Sequence, residues 1–374
     1  MEARAVGISL CIILCFPIFS PAVLADWESD SWLSNIIGPE RLSFGDEFGC
    51  QGLEGIDATD EMWAIGSCKE YLMDHTNASR WGETPISFGL DGKKLDTVVA
   101  NELVNEGFQI VGDTIGQDSR IQTIEMNGGS LEKKVANVSL LQSFEENTLV
   151  SIEWIARIHD LRVREDKDAI SWLEGQPVWF TTWGEWKNHN SSSNSANFSS
   201  KSNQVDVWIP ENNNSWKVPG TVKILFAGQI ISVLSVCSNN LQLPEDPCDN
   251  TTYPRLSIDS RHLEVGWRSI DGGLIVTINP GERVSIELSA IPNSTSIHPM
   301  TTFNGLHHSV TIVGMHTTNL FQWSSDFIES PLRFTWLLVR PSSEELGLII
   351  PVIAISTLIA TPLAIRYLLK RDDN

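Results

Sequence analysis

The sequence predicts an α+β domain, an all-β sandwich behind it and one transmembrane helix at the C-terminal end. Three observations carry that fold class. In the first half, apolar residues at helical spacing are interleaved with strand-like runs. The second half holds about seven strand runs cut by Gly, Pro, Asn and Asp turns. From Leu346 to Ile365 no charged residue occurs, and about 20 residues at roughly 1.5 Å each match a bilayer's hydrocarbon core.

The chain opens with "MEARAVGISLCIILCFPIFSPAVLADWESDSW". Arg4, an apolar stretch to Phe19, and Val23 and Ala25 ahead of Asp26 have the layout of a secretory signal peptide over residues 1–25. Residues 26–187 then read as an α+β ectodomain. "DATDEMWAIGSCKEYLMDHT" suits a helix through Met62, Ile65, Tyr71 and Leu72, and "KKLDTVVANELVNEG" a second through Leu95, Val98, Val99 and Leu103, stopped at Gly107. "SRIQTIEM" and "SLEKKVANVSLL" flank "NGG" as a hairpin, followed by a long strand in "NTLVSIEWIARIHDLRVR".

Residues 188–204, "NHNSSSNSANFSSKSNQ", carry too little apolar surface to offset the entropy of ordering, and read as a linker or a long loop. Residues 205–341 form the β-sandwich domain through "GTVKILFAG", "QIISVLSV", "RHLEVGWR", "GGLIVTI", "RVSIELSAI", "HHSVTIVG" and "PLRFTWLLV". Within it "INPGERVSIELSAIP" resembles the Pro-Gly-Glu turn between paired strands in immunoglobulin-like (Ig-like) modules of prokaryotic surface proteins. The plan of signal, acidic ectodomain, single C-terminal span and basic tail resembles that of archaeal single-pass cell-surface proteins. The resemblance implies an Ig-like sandwich and transfers no catalytic residue.

The span at 346–365 has Glu344 and Glu345 at its entrance and Arg366, Lys370 and Arg371 beyond its exit. That asymmetry puts the short tail, 366–374, in the cytoplasm and the N-terminal side outside. The protein is thereby expected at the cell membrane as a single-pass chain. With 26 basic and 47 acidic residues the net charge is −21, which excludes nucleic acid as a partner, since phosphate binding needs a basic footprint. An extracellular protein or glycan partner remains open. Beyond the signal, four cysteines allow three pairings; the local ones, Cys50 with Cys68 and Cys237 with Cys248, each flank a turn-rich stretch. N-glycosylation sequons fall at Asn77, Asn137, Asn190, Asn197, Asn213, Asn250 and Asn293.

Three constellations bear on chemistry. His308 and His316, on one face of a strand in a His- and Met-rich stretch, are the residues a copper or zinc ion would use, although the chain is read as holding no metal and no other cofactor. Trp179 and Trp183, in a cluster of tryptophans, are candidates for a glycan-stacking platform. "ASRWGETPISFG" gathers Arg80, Trp81 and Glu83 beside a helix end. No G-x-S-x-G, H-E-x-x-H, phosphate-cradling loop or calcium loop occurs. The expected function is a membrane-anchored cell-surface protein presenting an acidic, glycosylated ectodomain for binding, adhesion or structural contact; the alternative is a membrane-tethered extracellular hydrolase.

Overall fold

Strands from both ends of the chain meet in one parallel sheet, and the antiparallel strands form an insertion within it. The computed structural model describes residues 42–131, 148–155, 167–211, 214–236, 251–317 and 330–340, with Leu358, Thr361 and Pro362. Two compact units divide the chain, Met1–Arg340 and Pro341–Asn374. In the first, β1 (Glu47–Leu53), α1 (Trp63–His75), β2 (Ser87–Lys94), α2 (Thr97–Asn105), β3 (Ile110–Ile115) and β4 (Gln122–Ile124) follow in order. Next come β5 (Leu149–Ile155), α3 (Lys167–Glu174), β6 (Trp179–Phe180) and α4 (Trp183–Asn194). The inserted strands are β7 (Asn197–Lys201), β8 (Gln204–Trp208), β9 (Gly220–Phe226), β10 (Ile230–Val236), β11 (Thr251–Thr252), β12 (Gly266–Ile270), β13 (Gly273–Ile278), β14 (Arg283–Leu288) and β15 (Thr295–Pro299). The chain then returns through β16 (Ser309–Thr317) and β17 (Phe334–Arg340).

The eight-stranded sheet runs β4, β3, β2, β1, β17, β16, β5, with β6 also on β16, and all its pairings are parallel. One face is covered by helices. Ala64, Ile65, Cys68 and Leu72 of α1 and Val99, Ala100 and Leu103 of α2 share a core with Phe48, Phe88, Phe334 and Trp336 of the strands. Asp96 caps α2 by accepting from the Val98 and Val99 amides, which satisfies two donors that the first turn would otherwise leave unpaired. A disulfide joins Cys50 of β1 to Cys68 of α1 with Cα atoms 6.0 Å apart. The other face is packed by Trp179, Trp183, Trp216 and Leu337.

Two antiparallel sheets form the insertion, one ordered β11, β10, β14, β8, β7 and the other β12, β13, β9, β15. Val205, Val207, Val284 and Ile286 of the first and Val222, Ile224, Leu274 and Val276 of the second share one core.

The expected fold class is corrected. An α+β domain followed by an Ig-like sandwich does not describe this chain, because "HHSVTIVG" and "PLRFTWLLV" leave the antiparallel sheets and pair in parallel with β5 and β1. Phe334 to Leu338 are buried without interruption, the pattern of a strand covered on both faces of a parallel sheet. The Pro280–Gly281–Glu282 turn connects β13 and β14, which belong to different sheets, so it is a corner and not an Ig-like hairpin. Of the hairpin expected around "NGG", the first strand includes β4, which pairs in parallel with β3, while residues 132–141 of the second lie outside the described residues. Residues 188–204 carry the second half of α4, all of β7 and the start of β8.

Among the described residues no helix is long and apolar enough to cross a membrane, so the transmembrane helix of the expected fold is not among the helices observed. The run 346–365 lies outside the described residues except for Leu358, Thr361 and Pro362, which are helical. Residues 1–25, the tail 366–374, Cys237, Cys248, Asn137, Asn213 and Asn250 also lie outside them.

Candidate functional site

Two groups of polar side chains stand at opposite ends of the central strands. The first is closed. Ser151, Thr311, Thr335, Glu47 and Ser87 come one each from the adjacent strands β5, β16, β17, β1 and β2, and none is more than 1% exposed. Such a row needs partners in place of water, and the start of α4 supplies them. The Trp183 amide donates to Thr335 Oγ1 at 3.0 Å, its indole Nε1 to Ser151 Oγ at 3.0 Å, and the Gly184 amide to Glu47 Oε2 at 2.8 Å. Ser87 donates to Glu47 Oε1. Burial pushes Glu47 up to about 7, against the lowering pull of these donors.

Beside it, Glu185 is 2% exposed and accepts from Arg80 at 3.1 Å, Trp81 Nε1 at 2.6 Å and Thr181 Oγ1 at 3.0 Å. The guanidinium of Arg80 also lies 4.4 Å over the Trp81 ring. The stretch "ASRWGETPISFG" thus closes over a buried carboxylate. Farther along α4, His189 is fully buried with Nε2 2.9 Å from Thr221 Oγ1, and desolvation holds the imidazole down at about 3.

The second group is open. At the carboxyl ends of β1, β2 and β17 lies a crevice of about 460 Å³ whose lining includes Gln51, Leu53, Asp57, Thr59, Asp91 and Lys93. Its origin is in the ladder. β1 and β2 share one registered pair, Cys50 with Phe88, and register shifts follow at once, between Cys50 and Gly52 against β17 and between Gly89 and Lys93 against β3. Such irregularities bend strands and end pairing, so the sheet splays where Gly52, Gly55, Asp91 and Gly92 adopt positive φ. The loop after β1 is drawn across the opening by an ion pair of 2.8 Å between Asp57 and Lys93. Asp57 also accepts from the Thr59 amide at 2.9 Å and its hydroxyl at 2.7 Å. Lys93 first, then Thr59, hold the Asp57 carboxyl down at about 2, while Asp57 holds Lys93 up.

The residues singled out in the sequence do not converge on this crevice. Trp179 and Trp183 are fully buried and offer no ring face to a glycan. His308 precedes β16 and His316 is its eighth residue, so about 3.3 Å per residue sets them roughly 26 Å apart along the strand. Two ligands of one ion cannot be that far apart, and among the described residues no group of three metal-ligating side chains occurs. Asn77, Asn197 and Asn293 are exposed, whereas Asn190 sits half-buried in α4.

Sequence reasoning missed Glu47, Asp57 and Lys93 as a frame, because β1, "EFGCQGL", has too much glycine for a strand signal. Its Gly49 is required: a Cβ there would lie 2.6 Å from the Ser87 carbonyl oxygen. The start of α4 did carry a signal, Thr182 followed three residues later by Glu185, and the Thr182 hydroxyl does accept from the Glu185 amide.

Fold and site together define a parallel α/β sheet with a β-sandwich inserted before its last two strands, open at the strands' carboxyl ends. No family model, curated protein or solved structure matches the chain.

Proposed function

We propose that the chain is a membrane-anchored cell-surface protein whose acidic body binds a small polar ligand in the crevice above β1, β2 and β17. One observation carries this reading: the crevice lies outside the carboxyl ends of parallel strands, where open α/β sheets bind ligands, and its volume falls in the range of small-molecule sites. Glu54, Asp57 and Asp91 against Lys93, the one cation among the described lining residues, favour a ligand with amino or hydroxyl groups. Binding is favoured over hydrolysis because Glu47, the carboxyl with the raised pKa, is wholly enclosed at the start of β1. It lies four positions before Gln51 in the crevice, about 13 Å along the strand. Surface location rests on the signal-like leader, the uncharged closing run and the sequons.

The test is calorimetric titration of the purified protein with diamines, basic amino acids and neutral sugars, repeated on Asp57→Asn and Thr59→Trp. Saturable binding by one of these classes, weakened at least about tenfold by both substitutions, is expected. If no class binds, or if Thr59→Trp leaves binding intact, the crevice is not the site.

A further inference from the structure

Of the sequons among the described residues, one is exposed throughout. Asn197, Phe198 and Ser199 lie in β7, whose five residues are all exposed, and β7 ends its sheet beside β8. A strand alternates its side chains between two faces, so Asn197 and Ser199 point the same way, amide and hydroxyl side by side. Phe198 points the other way, paired with the buried Val207. The face that Asn197 and Ser199 share is therefore the outer one.

The other described sequons are less open. Ser79 of the Asn77 sequon is 4% exposed, and its Oγ accepts from the Trp81 amide at 3.3 Å. Thr295 of the Asn293 sequon is half-buried in β15. Asn190 lies in α4, where residues two apart stand roughly 200° apart around the helix. Its Oδ1 is buried without a partner among the described residues, and Ser192 donates to the Val218 carbonyl at 2.7 Å.

Asn197 also has an aromatic neighbour. Its registered partner on β8 is Trp208, whose partner on β14 is Arg283. The Arg283 guanidinium lies 4.5 Å over the indole. Direct cross-strand pairs hold their Cβ atoms about 5 Å apart, so Asn197 stands beside the indole on the strand opposite Arg283. Asn197 Nδ2 donates one hydrogen to the Ser195 carbonyl at 2.9 Å and keeps the second for substitution.

We propose that Asn197 carries an N-linked glycan whose first sugar packs on Trp208. The proposal rests on the surface location argued above, because it needs an export-side transferase and a lipid-phosphate-linked oligosaccharide. In the transfer, Nδ2 bonds to the anomeric carbon of the sugar, the bond from that carbon to the phosphate oxygen breaks, and the lipid phosphate leaves. Nδ2 gives its proton to a base of the transferase. The sugar's C–H groups then meet the π face of the indole, while its hydroxyls stay in water. A glycan at this position covers the outer edge of β7, where unpaired N–H and C=O groups otherwise form a template for another strand.

The experiment is peptide mass spectrometry of the full chain isolated from the cells that make it, with urea melts of Asn197→Gln, Trp208→Ala and the double variant from the same cells. A glycan mass on Asn197 and an unmodified Asn190 are expected. Asn197→Gln is expected to lower the urea midpoint by about 0.3 M in the native background and to leave it unchanged in Trp208→Ala. A membrane-impermeant amine reagent added to intact cells reads the surface location separately. A labelled chain with Asn197 bare would overturn the glycan alone, and an unlabelled chain with Asn197 bare would overturn both. An occupied Asn190 would contradict the selection by burial, and equal midpoint shifts in the two backgrounds would overturn the packing on Trp208.

Discussion

At the scale of single residues, Glu47 is a carboxyl with no exposed surface that burial raises to about 7. The folded chain therefore holds this proton more tightly than the unfolded chain does. Its contribution to stability is complete below the ordinary carboxyl range and is lost as pH rises through about 7, a difference of roughly 3 kcal/mol once both states are ionised. His189 acts in the opposite direction: lowered to about 3 by burial, it adds stability as pH rises from about 3 to the ordinary histidine value, above which its contribution is complete. Comparing the native chain with one variant over pH isolates the Glu47 contribution. Glu47→Gln retains an acceptor for Gly184 and can donate to Ser87, so its unfolding free energy is expected to fall less than that of the native chain between about pH 5 and pH 8. Denaturant melts across that range measure it, and parallel curves would show that Glu47 does not titrate there.

At the scale of elements, α4 ties the parallel sheet to the sandwich. Its first turn is fastened to β1, β5 and β17 through Glu47, Ser151 and Thr335. Its last turns are fastened to β9 and the segment before it, where Ser192 donates to the Val218 carbonyl and Ser193 accepts from the Thr221 amide. Contact with the sheet is close enough that a Cβ on Gly112 of β3 would stand 2.0 Å from Trp183 Cη2. Gly112→Ala is expected to cost about 1–3 kcal/mol, read from the denaturation midpoint; an unchanged midpoint would mean that α4 does not pack on β3. This helix also marks the limit of sequence reasoning. α1 and α2 bury apolar residues at helical spacing and were legible from it, whereas α4 beyond its first residue, Trp183, buries Gly, Glu, Asn, His and Ser. Its composition resembles a linker, and only side-chain hydrogen bonding makes such a helix an interior one. β16 and β17 were legible as strands but not as parallel ones, because an uninterrupted apolar run gives a strand's burial and not its partner. The crevice was less legible still, since Asp57 and Lys93 are 36 positions apart and meet only because β1 and β2 are neighbours.

At the scale of the whole molecule, the first and last described strands of the Met1–Arg340 unit, β1 and β17, pair in parallel from Glu47–Thr335 to Leu53–Arg340. That pairing sets Val339 beside Gln51 and Leu53 in the wall of the crevice. A binding site there requires strands from opposite ends of the sequence to fold as one body, with the sandwich as an insertion. Native-state hydrogen exchange tests this most directly. Amides of β16 and β17 are predicted to open together with those of β1 and β2, at one common free energy. Exchange of β16 and β17 in step with the sandwich strands, while β1 and β2 open separately, would contradict the shared sheet and the crevice built on it.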